Sequence, residues 1–361
     1  MTSIDKLYEI GTSTWLDDLS RDRITTGNLD EIKASKSIKG VTTNPAIFAK
    51  AMSGGNAYDI QLADLKAAGS EVDAAVYAMS VKDVQDACDL FADVFEATDG
   101  KDGRVSIEVD PRYAADEERT VAQAAELAQL VDRPNVMIKI PATDESLPAV
   151  TATLAAGISV NVTLIFSVER YRQVIDAFRE GVRQAEANGH DVSTIHSVAS
   201  FFVSRMDTEV DNRLETIGTP EALELRGKAG IANARLAYQL FLDEFSDSSQ
   251  FPAGTNKQRP LWASTGVKNP DYPATMYVTE LAGPDTVNTM PEATLDAMLE
   301  QGEVRGDTLT GTAAEAQATF DKLEAVGIDL DDVVAVLERE GVEKFVDAWQ
   351  ELLDSMAQNL K

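Results

Sequence analysis

The side chain best suited to covalent chemistry in this sequence is Lys139, in the run Val136-Met-Ile-Lys-Ile-Pro141. An ammonium between Ile138 and Ile140 is costly to bury unless it is paired or neutral, and a neutral amine is a nucleophile. Burial lowers the pKa of a lysine and a nearby carboxylate raises it, so the residue types alone leave that balance open. Glu108, in Val105-Ser-Ile-Glu-Val-Asp110, would lie one strand spacing away, roughly 4.8 Å between backbones, if the two strand ends are level. Thr163, in Ile158-Ser-Val-Asn-Val-Thr-Leu164, is expected as the matching neighbour on the other side. A lysine flanked by a carboxylate and a hydroxyl suits Schiff-base chemistry, where forming and dehydrating a carbinolamine both require proton transfers. A plain Lys139–Glu108 ion pair is the alternative.

Side chains alternate along a strand, so the apolar set on one face fixes the other. With Val105, Ile107 and Val109 turned outward, Ser106, Glu108 and Asp110 are expected inward. Lys139 and Met137 share one face of their strand, as do Ser159, Asn161 and Thr163, and as do Thr42 and Asn44. The inward set therefore turns polar toward the end of strand after strand. Burying such groups unpaired costs about 1 to 3 kcal/mol each, and that cost is hard to explain unless they form a site.

The elements that must position these residues are short β-branched runs separated by helical-period segments, without a Gly/Ser or Pro linker between halves. Strands are expected near Thr12–Leu16, Gly40–Thr43, Arg104–Val109, Val136–Ile140, Ile158–Phe166, Ile195–Phe202, Pro260–Ser264 and Thr286–Thr289. The pattern predicts an α/β fold, a closed (β/α)8 TIM barrel with additional helices, whose active site lies at the C-terminal ends of the strands. One domain over residues 1–361 is expected, with helices from about residue 293 packing on the barrel. Apolar spacing in Val121, Ala124, Ala125, Leu127 and Ala128, and in Val168, Tyr171, Val174, Ile175 and Phe178, marks outer helices. The runner-up, a doubly wound open sheet, would show a glycine-rich turn after its first strand, and neither GxGxxG nor GxxxxGK[ST] occurs.

Composition narrows the partners. The 61 acidic and 32 basic residues give a formal charge of -29, which opposes binding to nucleic acid. The single cysteine, Cys88, sits at helical spacing with Val84, Ala87 and Phe91 and reads as a small buried hydrophobe. Two histidines, His190 and His196, leave too few ligands for an ordinary zinc site, although carboxylate-bound magnesium stays open on this argument. No uncharged apolar run of about 18 residues is present, so neither secretion nor membrane insertion is expected, and a reducing cytoplasm fits. Whether the chain is a monomer or a homodimer stays open.

The segments Gly40-Val-Thr-Thr-Asn-Pro45, Val105-Ser-Ile-Glu-Val-Asp110, Val136-Met-Ile-Lys-Ile-Pro-Ala-Thr143 and Gly157-Ile-Ser-Val-Asn-Val-Thr-Leu-Ile-Phe166 resemble the transaldolase family. The resemblance runs from about Thr12 to the C-terminal helices. It implies a cofactor-free class I aldolase barrel moving a dihydroxyacetone unit from sedoheptulose 7-phosphate to glyceraldehyde 3-phosphate, giving erythrose 4-phosphate and fructose 6-phosphate. By the same resemblance Lys139 forms the Schiff base and Asp17, rather than Asp18, moves the hydroxyl proton. Glu108 and Thr163 are then expected to hold an activated water, and Asn44, Asn161 and Ser200 the hydroxyls of the bound unit. Arg205 matches the family's phosphate arginine, with Ser264 and Lys268 as further candidates. Here the sequence departs from the family pattern: a second arginine is expected close after the serine, and Lys268 stands two places further along. The nearest enzyme alternative is a related Schiff-base aldolase that cleaves fructose 6-phosphate or a deoxyribose phosphate without transfer, and the alternative from a different class is a catalytically silent barrel that binds sugar phosphates or a protein partner.

Overall fold

The computed structural model describes residues 1–361. Eight strands, β1 (Thr12–Leu16), β2 (Gly40–Val41), β3 (Arg104–Glu108), β4 (Val136–Pro141), β5 (Val160–Ile165), β6 (Ser197–Phe202), β7 (Arg259–Ala263) and β8 (Thr286–Met290), form a closed barrel in chain order. Every neighbouring pair is parallel, and β1 closes on β8. The fold is the expected (β/α)8 barrel.

Outer helices bury one stripe each. Glu117–Val131, capped by the Asp116 side chain, buries Thr120, Ala124, Leu127 and Val131. Val168–Ala187, capped by Ser167, buries Tyr171, Val174, Ile175, Phe178 and Val182. Inside the barrel, Trp15, Met137, Val198, Leu261 and Val287 form one apolar cluster. Gly40 makes room for it, because a Cβ there would stand 2.9 Å from the Trp15 indole. Near the N-terminal ends of the strands, buried Asp102 accepts from Ser13 Oγ (2.7 Å) and Trp15 Nε1 (3.0 Å) and pairs with Arg259 at 3.1 Å. The interior below the mouth is therefore filled, and only the opposite end is left to receive a ligand.

Most strand ends differ from the sequence expectation by one or two residues, and three of the differences near the mouth have a local reason. β2 stops at Val41 rather than Thr43, because Asn44 begins the helix Pro45–Met52 by accepting from Ile47 N at 2.9 Å. β5 breaks register between Val162 and Ile165, where Leu164 adopts φ 62°, a bulge that re-aims the strand end. β3 ends at Glu108, so Asp110 is not carried inward. Its carboxylate instead accepts from Arg112, two residues on in the short 3-10 helix Pro111–Tyr113 that Asp110 caps.

The chain ends in the helices Glu292–Gln301, Ala313–Ala325 and Leu330–Asn359. The last lies across the barrel mouth, against Pro45–Met52, Val72–Leu90, Ser204–Ile217 and β5. Gly341 permits the approach, since a Cβ there would meet the Phe166 ring at 3.0 Å and Leu164 at 3.3 Å. No helix is long and apolar enough to cross a membrane.

Candidate active site

At the C-terminal mouth a cavity of about 190 Å³ opens between the strand ends and the last helix. Lys139 stands on its floor, 5% exposed. Its Nζ donates to the Thr43 carbonyl at 2.8 Å and lies 3.5 Å from Glu108 Oε2. That second contact is long for a hydrogen bond and acts through charge. β3 and β4 are in register at Glu108 and Lys139, so the two side chains leave the sheet side by side.

Glu108 is buried, and burial pushes its carboxyl up to about 7, against the pull of Lys139 and with a small further push from Asp17. Neither Glu108 oxygen has a hydrogen-bond partner, and neither does the buried Thr163 hydroxyl. Thr163 is not level with Lys139. Asn161 is the register partner of Lys139, and Thr163 stands opposite Pro141, just before the bulge.

Asp17 follows β1 and faces the cavity, accepting from Thr42 Oγ1 at 2.9 Å. Burial raises its pKa, while Lys139, the Thr42 hydroxyl and Lys268 pull it down. Asp18 turns the other way and accepts from Arg23 at 2.9 Å. It borders a separate, more open groove of about 520 Å³ that contains none of the expected site residues.

The amides are held by the scaffold. Asn44 lines the cavity while its oxygen caps the Pro45–Met52 helix, which leaves its NH2 as the group available to donate. Asn161 donates to Ser106 Oγ (3.1 Å) and accepts from Ser200 Oγ (2.7 Å), so its orientation is fixed beneath the cavity, and Ser200 itself lines the wall. Arg205, on the first turn of Ser204–Ile217, lies over the Phe202 ring at 5.1 Å with one guanidinium nitrogen buried and unpartnered. Burial lowers its pKa, opposed by Glu340 and Asp17. Ser264, at φ 54°, shares a 2.7 Å hydroxyl contact with Ser204, and Lys268 borders the same cavity from the loop beyond.

Sequence reasoning missed the roof. Phe345, on the last helix, places its ring 5.7 Å from Lys139 Nζ, with Phe202 across the cavity. Its helical spacing marks it only as one of many apolar positions, and nothing local says that this stripe lands on the mouth. Thr42 and Thr289, whose hydroxyls meet beside Asp17, were likewise not singled out as functional.

A closed parallel barrel with one buried lysine at its mouth, beside a carboxylate that has no hydrogen-bond partner and under an apolar roof, holds the groups that the class of lysine-dependent barrel aldolases requires. Residues 14–356 match the family model described as Transaldolase/Fructose-6-phosphate aldolase. Curated relatives include a transaldolase from Mycolicibacterium smegmatis, 62% identical over 97% of this chain and 95% of that protein. Another is from Mycolicibacterium paratuberculosis, 60% identical over 98% of this chain and 96% of its own. The transaldolase of Mycobacterium tuberculosis H37Rv is 59% identical over 98% of this chain and 96% of its own. The chain belongs to the transaldolase/fructose-6-phosphate aldolase family.

Proposed function

We propose that this chain is a transaldolase, moving a dihydroxyacetone unit from sedoheptulose 7-phosphate to glyceraldehyde 3-phosphate through a Schiff base on Lys139. The observation that carries the reading is the buried Lys139–Glu108 pair, whose carboxylate oxygens are otherwise free. Lys139 adds to the ketose carbonyl. Glu108 and Thr163 hold a water that passes the proton from nitrogen to the departing hydroxyl, and the carbinolamine loses water to give the imine. Asp17 then takes the C4 hydroxyl proton as the C3–C4 bond breaks. The bond's electron pair passes to C3, delocalised into the protonated imine as an enamine, and the aldose leaves. The acceptor aldehyde enters, the C–C bond re-forms, and Asp17 returns its proton to the new hydroxyl. Water finally adds to the imine and releases the ketose from Lys139.

Asn44, Asn161 and Ser200 are proposed to hold hydroxyls of the dihydroxyacetone unit, and Arg205, Ser264 and Lys268 the phosphate. A few fixed cations can serve that role within an acidic whole, because the field in a cleft is local. Lys268 supplies a point charge where an arginine would give a two-pronged grip.

Transfer is separated from simple cleavage by measuring release of free dihydroxyacetone from fructose 6-phosphate with and without erythrose 4-phosphate as acceptor. A transaldolase turns over with the acceptor and releases little without it. Rapid release with no acceptor would favour the aldolase alternative. The roof gives a second expectation: Phe345→Ala opens Lys139 to water and raises acceptor-independent release by roughly tenfold relative to transfer. Unaltered partitioning would remove Phe345 from the account.

The pH dependence has a definite sign. Because burial holds the Glu108 carboxyl up near 7, the group is protonated below that value and its capacity to accept a proton is lost as pH falls through it. The kcat/KM profile is expected to show an acid limb with an apparent pKa near 7, belonging to the Glu108–Lys139 pair. Glu108→Gln should abolish that inflection and lower the plateau by about 10². An unchanged profile in the variant would remove Glu108 from the relay.

A further inference from the structure

Lys268 is exposed and forms no ion pair, yet a phosphate grip needs its charge at a fixed place beside the cavity. A free lysine side chain carries about 2 kcal/mol of rotamer entropy, so its backbone at least must be held. The segment from Ser264 to Thr275 contains neither helix nor strand. On the near side of Lys268 it is tied by Ser204 N donating to Ser264 O at 2.9 Å and by Thr265 Oγ1 donating to Thr289 O at 2.8 Å.

On the far side the ties are of a different kind. Tyr272 Oη donates to Asp211 Oδ2 at 2.5 Å, and Tyr277 Oη donates to Asp207 Oδ2 at 2.5 Å. The other oxygen of each carboxylate accepts a backbone amide, Gly227 N at 2.9 Å and Gly230 N at 2.7 Å. Asp207 and Asp211 are 2% and 8% exposed and make no salt bridge, an expensive way to bury two carboxylates. They stand one turn apart on Ser204–Ile217, the helix whose first turn carries Arg205. One helix thus carries one cation and clasps the loop that carries the other.

Behind Lys268 lies a second cavity, of about 210 Å³, lined by Asp207, Asp211, Glu215, Tyr272 and Tyr277, and Lys268 borders both spaces. A slack loop would let its ammonium turn toward these carboxylates and away from Arg205.

We propose that the Tyr272–Asp211 and Tyr277–Asp207 pairs are positioning residues that fix Lys268 against Arg205 and so set the affinity of the site for the substrate's phosphate. The inference rests on the reading of Arg205 and Lys268 as the phosphate grip.

Tyr272→Phe tests it, because the ring stays and only the hydroxyl goes. KM for fructose 6-phosphate and the competitive Ki of inorganic phosphate should both rise about fivefold, with kcat within about twofold. Transfer from unphosphorylated fructose to glyceraldehyde should be unchanged. Asp211→Asn should repeat the pattern. In a Lys268→Gln background, Tyr272→Phe should add no further loss, since it acts through Lys268. Equal losses in both backgrounds, an unchanged phosphate Ki, or a matching loss with fructose would overturn the positioning role. If Lys268→Gln alone leaves the phosphate Ki unchanged, the phosphate reading itself fails, and the proposal with it.

Discussion

Lys139→Met is expected to abolish transfer, by on the order of 10⁵ or more in kcat, while leaving the fold intact. The whole route runs through a covalent bond to Nζ, so no partial interaction remains to carry the reaction. The replacement suits the site. Lys139 is 5% exposed between Ile138 and Ile140, and a thioether of similar length fills its space without an uncompensated charge. Removing one member of a buried ion pair usually leaves the other stranded, but here the survivor is Glu108, which burial already holds near 7. Without Lys139 its carboxyl rises further and is neutral in mildly acidic buffer. Thermal melting at pH 6 should therefore match or exceed that of the native chain, and the activity loss cannot be ascribed to unfolding. Transfer above about a thousandth of the native rate would place the chemistry elsewhere.

Asp17→Asn is expected to separate imine formation from bond cleavage. Asparagine keeps the size of the side chain and an oxygen for the Thr42 hydroxyl, which donates to Asp17 at 2.9 Å. It cannot take a proton. Transfer should fall by about 10³, the range lost when a positioned general base is removed. Borohydride with dihydroxyacetone should still label Lys139 to the native extent, because carbinolamine formation is assigned to Glu108, Thr163 and their water. The pKa of Asp17 is raised by burial and pulled back by Lys139 and Lys268, so the native carboxylate is a stronger base than an exposed aspartate. A variant keeping more than about a tenth of native transfer, or failing to form the adduct, would contradict the division of labour.

Much of this arrangement was legible from alternation along strands. Lys139, Glu108, Asn161 and Ser106 share the barrel interior because the apolar residues between them face the helices, and that pattern needs no tertiary information. Asp17 is separated from Asp18 in the sequence by the family resemblance, and the two side chains do diverge, one into the cavity and one onto Arg23. The failures begin where strands end. The alternation that places Glu108 inward does not carry on to Asp110, because β3 ends at Glu108 and the Arg112 guanidinium claims the Asp110 carboxylate instead. Thr163 lies two residues beyond the level of Lys139 because β4 and β5 pair Lys139 with Asn161 and Pro141 with Thr163, and alternation within one strand says nothing about its register against the next.

Contacts from distant segments were also beyond reach. Phe345 roofs the lysine only because Gly341 lets the last helix settle on Phe166 and Leu164. An isolated glycine in a helical pattern signals a cost in propensity, not the place where the helix will lie. The carboxylates of Asp207 and Asp211 look like ordinary solvated charges at helical spacing, and their burial follows from two tyrosines that the barrel's closure brings back to them.

The central claim is that Nζ of Lys139 bonds covalently to the donor ketone. Native protein reduced with borohydride in the presence of fructose 6-phosphate, then digested and mapped by mass, tests it most directly. The account predicts a reduced dihydroxyacetone adduct on the peptide containing Lys139, formed only when ketose is present. An adduct on any other lysine, or none on that peptide while the enzyme is turning over, would contradict it.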